Sequence, residues 1–266
     1  MKRLLSILLL LLSVFTVKAQ HTSLNNYEMG PGEYVNSFVL HSTGRLYEYE
    51  GVPRLLAPLH MWKTAGGAHH SLALDSSGNV WAWGDNTNAE LGIGNTTNQT
   101  DPVKITIDSL GNSFTNVIAI YAGGTETGWM SGALKSDGTV WVWGAVSDGV
   151  RGNNTAGGTT SRPVQVPFPG GVIIKQVVLN ELCIALSTTG DVYTWGSGNA
   201  NGGFRSPYML AQGASYGGIT PNTPTKITLP LPAIMISGGS DYMNYALLNN
   251  GRLYGWGYNL QYIGEE

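Results

Sequence analysis

The chain has 266 residues, of which 42% are hydrophobic and only 12% charged, with 37 glycines, 12 prolines and one cysteine. That much apolar material with so little charge excludes a disordered chain, glycine without a three-residue period excludes collagen, and a single Cys183 excludes an internal disulfide framework. A formal net charge of -3 with no basic cluster disfavours nucleic-acid binding, which depends on Lys and Arg neutralising phosphates.

The first element is a leader. Lys2 and Arg3 precede an apolar run of 14 residues from Leu4 to Val17, and Val17-Lys18-Ala19 puts small residues where a signal peptidase needs them. The run is shorter than the roughly 18 to 20 residues of a membrane-crossing helix. Residues 1–19 are therefore expected to be a cleaved signal peptide, with no stable membrane span after cleavage. Loss of Lys2, Arg3 and Lys18 leaves 11 basic against 17 acidic groups, so the exported protein is acidic. Residues 20–33 form an N-terminal segment, and 34–266 hold repeats.

Five units align without gaps on a turn glycine, at 37–50, 71–84, 131–144, 183–196 and 244–257. The glycines are Gly44, Gly78, Gly138, Gly190 and Gly251. Leu40, Leu74, Leu134, Leu186 and Leu247 stand four residues before them. An aromatic follows three residues after each (Tyr47, Trp81, Trp141, Tyr193, Tyr254), and another five after (Tyr49, Trp83, Trp143, Trp195, Trp256).

Each unit reads as a hairpin whose glycine takes the positive φ that reversal requires. Two aromatics two residues apart project from one face of the second strand, and the branched residue before them faces the other way. Both faces are apolar, which fits a sheet packed between two neighbours. A buried Trp contributes at most about 4 to 6 kcal/mol at roughly 25 cal/mol per Å². Steps of 52 to 61 residues between the later turn glycines suit one four-stranded sheet per repeat. No stretch sustains a helical period, so the expected fold is an all-β propeller of about four to five blades.

Between and within these units lie the candidate sites. Residues 108–115 form a small insertion. Residues 199–222 form a longer one, rich in Gly and Asn, bearing Phe204, Arg205, Tyr208 and Tyr216. Aromatic and Arg side chains on inserted loops are the types enriched at binding hot spots, so these four are the candidate partner-binding residues.

Other motifs carry less. Gly213-Ala214-Ser215-Tyr216-Gly217 matches a nucleophile elbow, but all five His lie upstream of it, against the order such hydrolases require. His69 and His70 are adjacent, so on a strand they point to opposite faces and cannot share a metal. Asp85-Asn86-Thr87-Asn88 opens like a calcium loop, yet Glu90 stands where the sharp-turn glycine belongs. Cys183 falls in a column of small residues, as a buried thiol would. No catalytic residue, metal or cofactor is assigned.

In the second unit, Ala65-Gly66-Gly67-Ala68-His69-His70-Ser71-Leu72-Ala73-Leu74, then Gly78, Val80, Trp81, Trp83-Gly84, Asn86, Leu91-Gly92 and Pro102-Val103, closely resembles the regulator of chromosome condensation repeat. The third unit keeps Ala122-Gly123-Gly124, Gly152 and Pro163-Val164, and the fifth keeps Ser237-Gly238-Gly239 and Asn259. In the fourth, Val178-Leu179-Asn180 replaces the paired glycines, which puts that blade's inner turn in question.

The resemblance covers about residues 34 to 264. It implies a propeller of regulator of chromosome condensation type, incomplete against the family's seven blades, and a structural role for His70. Some family members are exchange factors for a small GTPase, and some secreted bacterial members inhibit β-lactamases. The expectation is a secreted or cell-surface, non-enzymatic platform for another protein or a surface glycan. The alternatives are a propeller enzyme acting on polysaccharide, and a secreted inhibitor of an enzyme such as a β-lactamase.

Overall fold

The computed structural model describes residues 15–17, 37–40, 45–50, 52–57, 60–123, 130–146, 149, 151–153, 158–179, 182–196, 223–238 and 243–257. They form five antiparallel sheets in chain order. The first holds β1 (Phe15–Val17), β2 (Ser37–Leu40), β3 (Leu46–Glu50) and β4 (Val52–Ala57), so three residues of the segment expected to be a leader are paired with β2. The second holds β5 (Met61–Gly66), β6 (His70–Asp75), β7 (Val80–Gly84) and β8 (Gln99–Lys104). The third holds β9 (Val117–Gly123), β10 (Met130–Lys135), β11 (Val140–Val146) and β12 (Gly158–Gln165). The fourth holds β13 (Ile174–Val178), β14 (Leu182–Ser187), β15 (Val192–Gly196) and β16 (Thr225–Lys226), and the fifth β17 (Ala233–Gly238), β18 (Met243–Leu248) and β19 (Leu253–Gly257). Five sheets agree with the four to five blades expected.

The repeated hairpins are β2–β3, β6–β7, β10–β11, β14–β15 and β18–β19. Gly78, Gly138, Gly190 and Gly251 all have φ between 78 and 90°, the left-handed conformation that reversal demands. Alternate residues of one strand then serve different neighbours. Trp141 and Trp143 face back into a core shared with Leu72, Leu74 and Val80 of the second sheet, while Val140 and Val142 face forward into one shared with Val177, Ala185 and Trp195 of the fourth. Trp256 closes the next core with Ile184, Leu186 and Val192.

Successive sheets are also stitched through the backbone. The amides of Val117, Ile174 and Ala233 donate to the carbonyls of Gly78, Gly138 and Gly190 at 3.1, 3.1 and 2.9 Å. β5 packs on β9 and β13 on β17, so the first strands of the second to fifth sheets lie toward a common axis and those sheets fan outward from it. Among the described residues no helix is long and apolar enough to cross a membrane.

The fourth blade forms despite lacking its glycine pair. Leu179 is buried, and its side chain fills the place where a Cβ on Gly132 would stand. The glycine missing from one blade is offset by a glycine in its neighbour. The third blade is shifted as well: Gly66 pairs with Ser71, but Ala122, not Gly123, pairs with Ser131.

Candidate functional site

The polar residues singled out in the second repeat make a latch between blades. His70 is buried and its Nε2 lies 2.8 Å from Ser131 Oγ on β10. Ser131 Oγ in turn donates to the Glu90 carbonyl at 2.8 Å, so it accepts from His70, which fixes the tautomer with the proton on Nε2. Trp143 Nε1 donates to the same carbonyl at 2.8 Å. Burial lowers the His70 pKa to about 4, the charge of Asp85 opposing this and that of His69 adding to it.

Gly67 is the floor of this arrangement, because a Cβ there would overlap the His70 ring and stand 2.6 Å from Nδ1. His69 is exposed, so the two histidines do face opposite ways.

The loop resembling a calcium site is also structural. Asn86, fully buried, donates from Nδ2 to the carbonyls of Asn95 and Thr97 and accepts the Leu91 amide. Both Glu90 carboxylate oxygens accept from Asn88, and burial pushes this carboxyl up against those bonds. Among the described residues no group of three or more His, Cys, Asp or Glu is placed to hold a metal. Cys183 is buried.

The sheets have two ends. One carries the hairpin turns at Gly78, Gly138, Gly190 and Gly251 together with the connections that lead into each axial strand. Phe204, Arg205, Tyr208 and Tyr216 lie outside the described residues. The residues flanking their segment, Gly196 and Thr223, belong to the opposite end, with the Asn86 loop. The smaller insertion, 108–115, lies at the turn end. Asp108 accepts the amides of Leu110 and Asn112, and Phe114 sits edge-on to Trp141 and Trp143 at 5.7 and 5.8 Å. Asp108 and Phe114 are buried, and the tip between them presents Leu110, 81% exposed.

A second feature of the turn end escaped the sequence reading. The axial strands β5, β9, β13 and β17 each carry a β-bulge at their start, between Met61 and Lys63, at Ile118, between Ile174 and Gln176, and between Ala233 and Met235. A bulge leaves one residue unpaired and re-aims its side chain. The bulged residues are Trp62, Ile118, Lys175 and Ile234, and all four are exposed. Lys63 bridges two blades here, donating from Nζ to the Ile118 carbonyl at 2.9 Å and lying 4.3 Å above the Trp62 ring.

Among the described residues nine large apolar side chains are exposed: Trp62, Ile118, Ile234 and Met235 on axial strands and Leu110, Ile173 and Leu231 in the connections into them, so seven gather on the axial side of this end, and Leu253, beside the Gly251 turn, is an eighth at it. Scattered exposed apolar residues need no explanation, whereas a collected set marks an interaction surface. A readable signal did exist: in the second to fifth units a buried apolar residue (Met61, Val117, Ile174, Ala233) is followed at once by the bulged one, which breaks strand alternation.

Radially packed antiparallel sheets with converging first strands define a β-propeller repeat protein. Family profiles described as regulator of chromosome condensation (RCC1) repeat match residues 63–90 and 77–128. Protein pim1 of Schizosaccharomyces pombe is 31% identical over 211 residues, which are 74% of this chain and 36% of pim1. Among solved structures, human WBSCR16 superposes with a TM-score of 0.65 at 20% identity, over 85% of this chain and 60% of that one. Prp20p from Saccharomyces cerevisiae superposes at 0.61 and 22% identity, over 84% and 56%. This chain is built of RCC1 repeats arranged as propeller blades, and it spans about a third of the pim1 length.

Proposed function

We propose that this is an exported, non-enzymatic RCC1-repeat propeller that binds a partner protein through the turn end of its axial wall. The observation that carries the reading is that, among the described residues, seven of the nine large exposed apolar side chains lie on the axial strands of that end or in the connections into them. Export rests on the leader segment at 1–19. The fold offers an analogy: Prp20p was crystallised in a study that also describes its binding to Gsp1p and histones. The polar groups that a catalytic reading would recruit, His70, Ser131 and Glu90, are sealed between blades and bonded to one another or to Asn88.

The test has two arms. N-terminal sequencing of protein recovered from the medium or cell surface should begin at Gln20; retention in the cytoplasm refutes export. A photo-crosslinking amino acid at position 118 or 234 should trap a protein that the same group at Thr96, near the other end, does not. Adducts from Thr96 alone would refute the turn-end site.

A further inference from the structure

The charges around the bulges say what kind of partner fits. β5, β9, β13 and β17 together carry Lys63 and Lys175 and no Asp or Glu. The carboxylates elsewhere at the turn end stand off these four strands and are fixed in local turns. Asp75 accepts from Ser77, Asn79 and Trp81, Asp108 from Leu110 and Asn112, and Asp137 from Thr139. Asp191 is paired with Lys226 at 2.7 Å. Lys175 is a bulged residue and exposed, and Lys63 stands between Trp62 and Ile118, so the ammonium groups and the apolar side chains occupy one wall. The protein as a whole is acidic. A cationic, apolar wall on an acidic body selects against basic partners and for carboxylates set among large apolar side chains.

From this juxtaposition we infer that the wall formed by Trp62, Lys63, Ile118, Lys175, Ile234 and Met235 binds a segment of a partner protein in which Asp or Glu alternates with Leu, Phe or Trp. This deepens the proposed function and rests on its choice of surface.

The probes are three fluorescein-labelled synthetic peptides: one alternating Glu with Leu and Phe, one with Lys in place of Glu, and one with Ser in place of Leu and Phe. Anisotropy with the full protein should show saturable binding of the first alone. The change Lys63→Gln with Lys175→Gln should weaken that binding roughly five-fold or more, and 0.5 M salt should do the same. Lys63→Arg, which keeps the charge beside the Ile118 carbonyl, should retain it, and thermal melts verify folding of each variant.

If Ile118→Ser with Ile234→Ser abolishes binding while the lysine changes have no effect, the surface stands and the acidic partner is refuted. If neither pair matters, or the Lys peptide binds as well as the Glu peptide, the inference is overturned. Binding of an oligosaccharide panel at Trp62 with no peptide bound would overturn it too.

Discussion

Lowering the pH should loosen the propeller well before its carboxylates protonate, and His70 is the reason. The native latch needs a neutral ring, with Nε2–H donating to Ser131 and a pKa near 4, whereas the unfolded chain protonates His70 near 6.5. Between these values the unfolded state binds the additional proton, so stability is complete above about pH 6.5 and falls as pH drops toward 4. The slope approaches 1.4 kcal/mol per pH unit. That is a loss of about 2 kcal/mol at pH 5 and about 3 kcal/mol across the window, order-of-magnitude figures for a fully buried group.

The lowered aspartates do not intrude. Burial pushes Asp75, Asp85 and Asp137 up, but hydrogen bonds outweigh it and hold each below 3.8, so their contribution is lost only in stronger acid. Glu90 has the opposite sign: its carboxyl is raised, so its protonation returns some stability as pH falls and blunts the low end of the window. Urea titrations at pH 7.5, 6.5, 5.5 and 5.0 on the native protein and on His70→Gln supply the measurement. The native midpoint should fall steadily below pH 6.5, and the variant, less stable throughout, should lose most of that slope. A native curve flat from pH 6.5 to 5, or an equal slope in both proteins, would refute the assignment.

Ser131→Ala removes the acceptor of a buried N–H and should destabilise by about 1–3 kcal/mol in the same titrations at pH 7.5. Gly67→Ala, which drives a methyl into the His70 ring, should cost about 1–3 kcal/mol by overpacking and should lower the cooperativity of melting if the latch opens first. Gly132→Ala and Leu179→Ala should each destabilise by at least about 1 kcal/mol, but the double variant should lose less than their sum, because the new methyl occupies space that Leu179 vacates; strict additivity would show that they do not compensate each other.

Much of the fold was legible because it rests on local chemistry repeated several times. A glycine with positive φ, an aliphatic four residues before it and aromatics three and five after it fix a hairpin and the face each side chain takes, and the cores around Trp143, Trp195 and Trp256 follow. What stayed hidden depends on contacts between repeats. The Leu179 and Gly132 exchange involves residues far apart in sequence whose proximity only packing reveals. The one-residue shift that pairs Ala122 with Ser131 cannot be seen from Ala122-Gly123-Gly124, which copies the second repeat letter for letter at the glycines. At Met61-Trp62, Val117-Ile118 and Ala233-Ile234 the bulge stands in the sequence as a doubled apolar residue, but only the ladder shows that the second of each pair is unpaired and exposed. The loop candidates were chosen by residue type alone, and type does not say which end of a blade is apolar.

The same packing logic grades stability along the arc. In a repeat array each unit is held by its own fold and by the interfaces on either side. β6 and β14 are buried at every position, whereas β18 alternates between buried and half-buried residues. Leu253 and Tyr254 on β19 are 59% and 37% exposed, where their counterparts Val140 and Trp141 are 0% and 6%. A Cβ on Gly251 would meet nothing within 4 Å, while those on Gly78, Gly138 and Gly190 would meet the next blade. Two large side chains left uncovered, one on each face of β19, forgo about 3 kcal/mol of burial, which corresponds to roughly a hundred-fold in an opening equilibrium. Amides of β18 and β19 should therefore exchange with deuterium about two orders of magnitude faster than those of β10 and β11. Equal protection of the two hairpins would mean that the sheets open as a single unit and that the interfaces between them, not the hairpins, dominate cohesion.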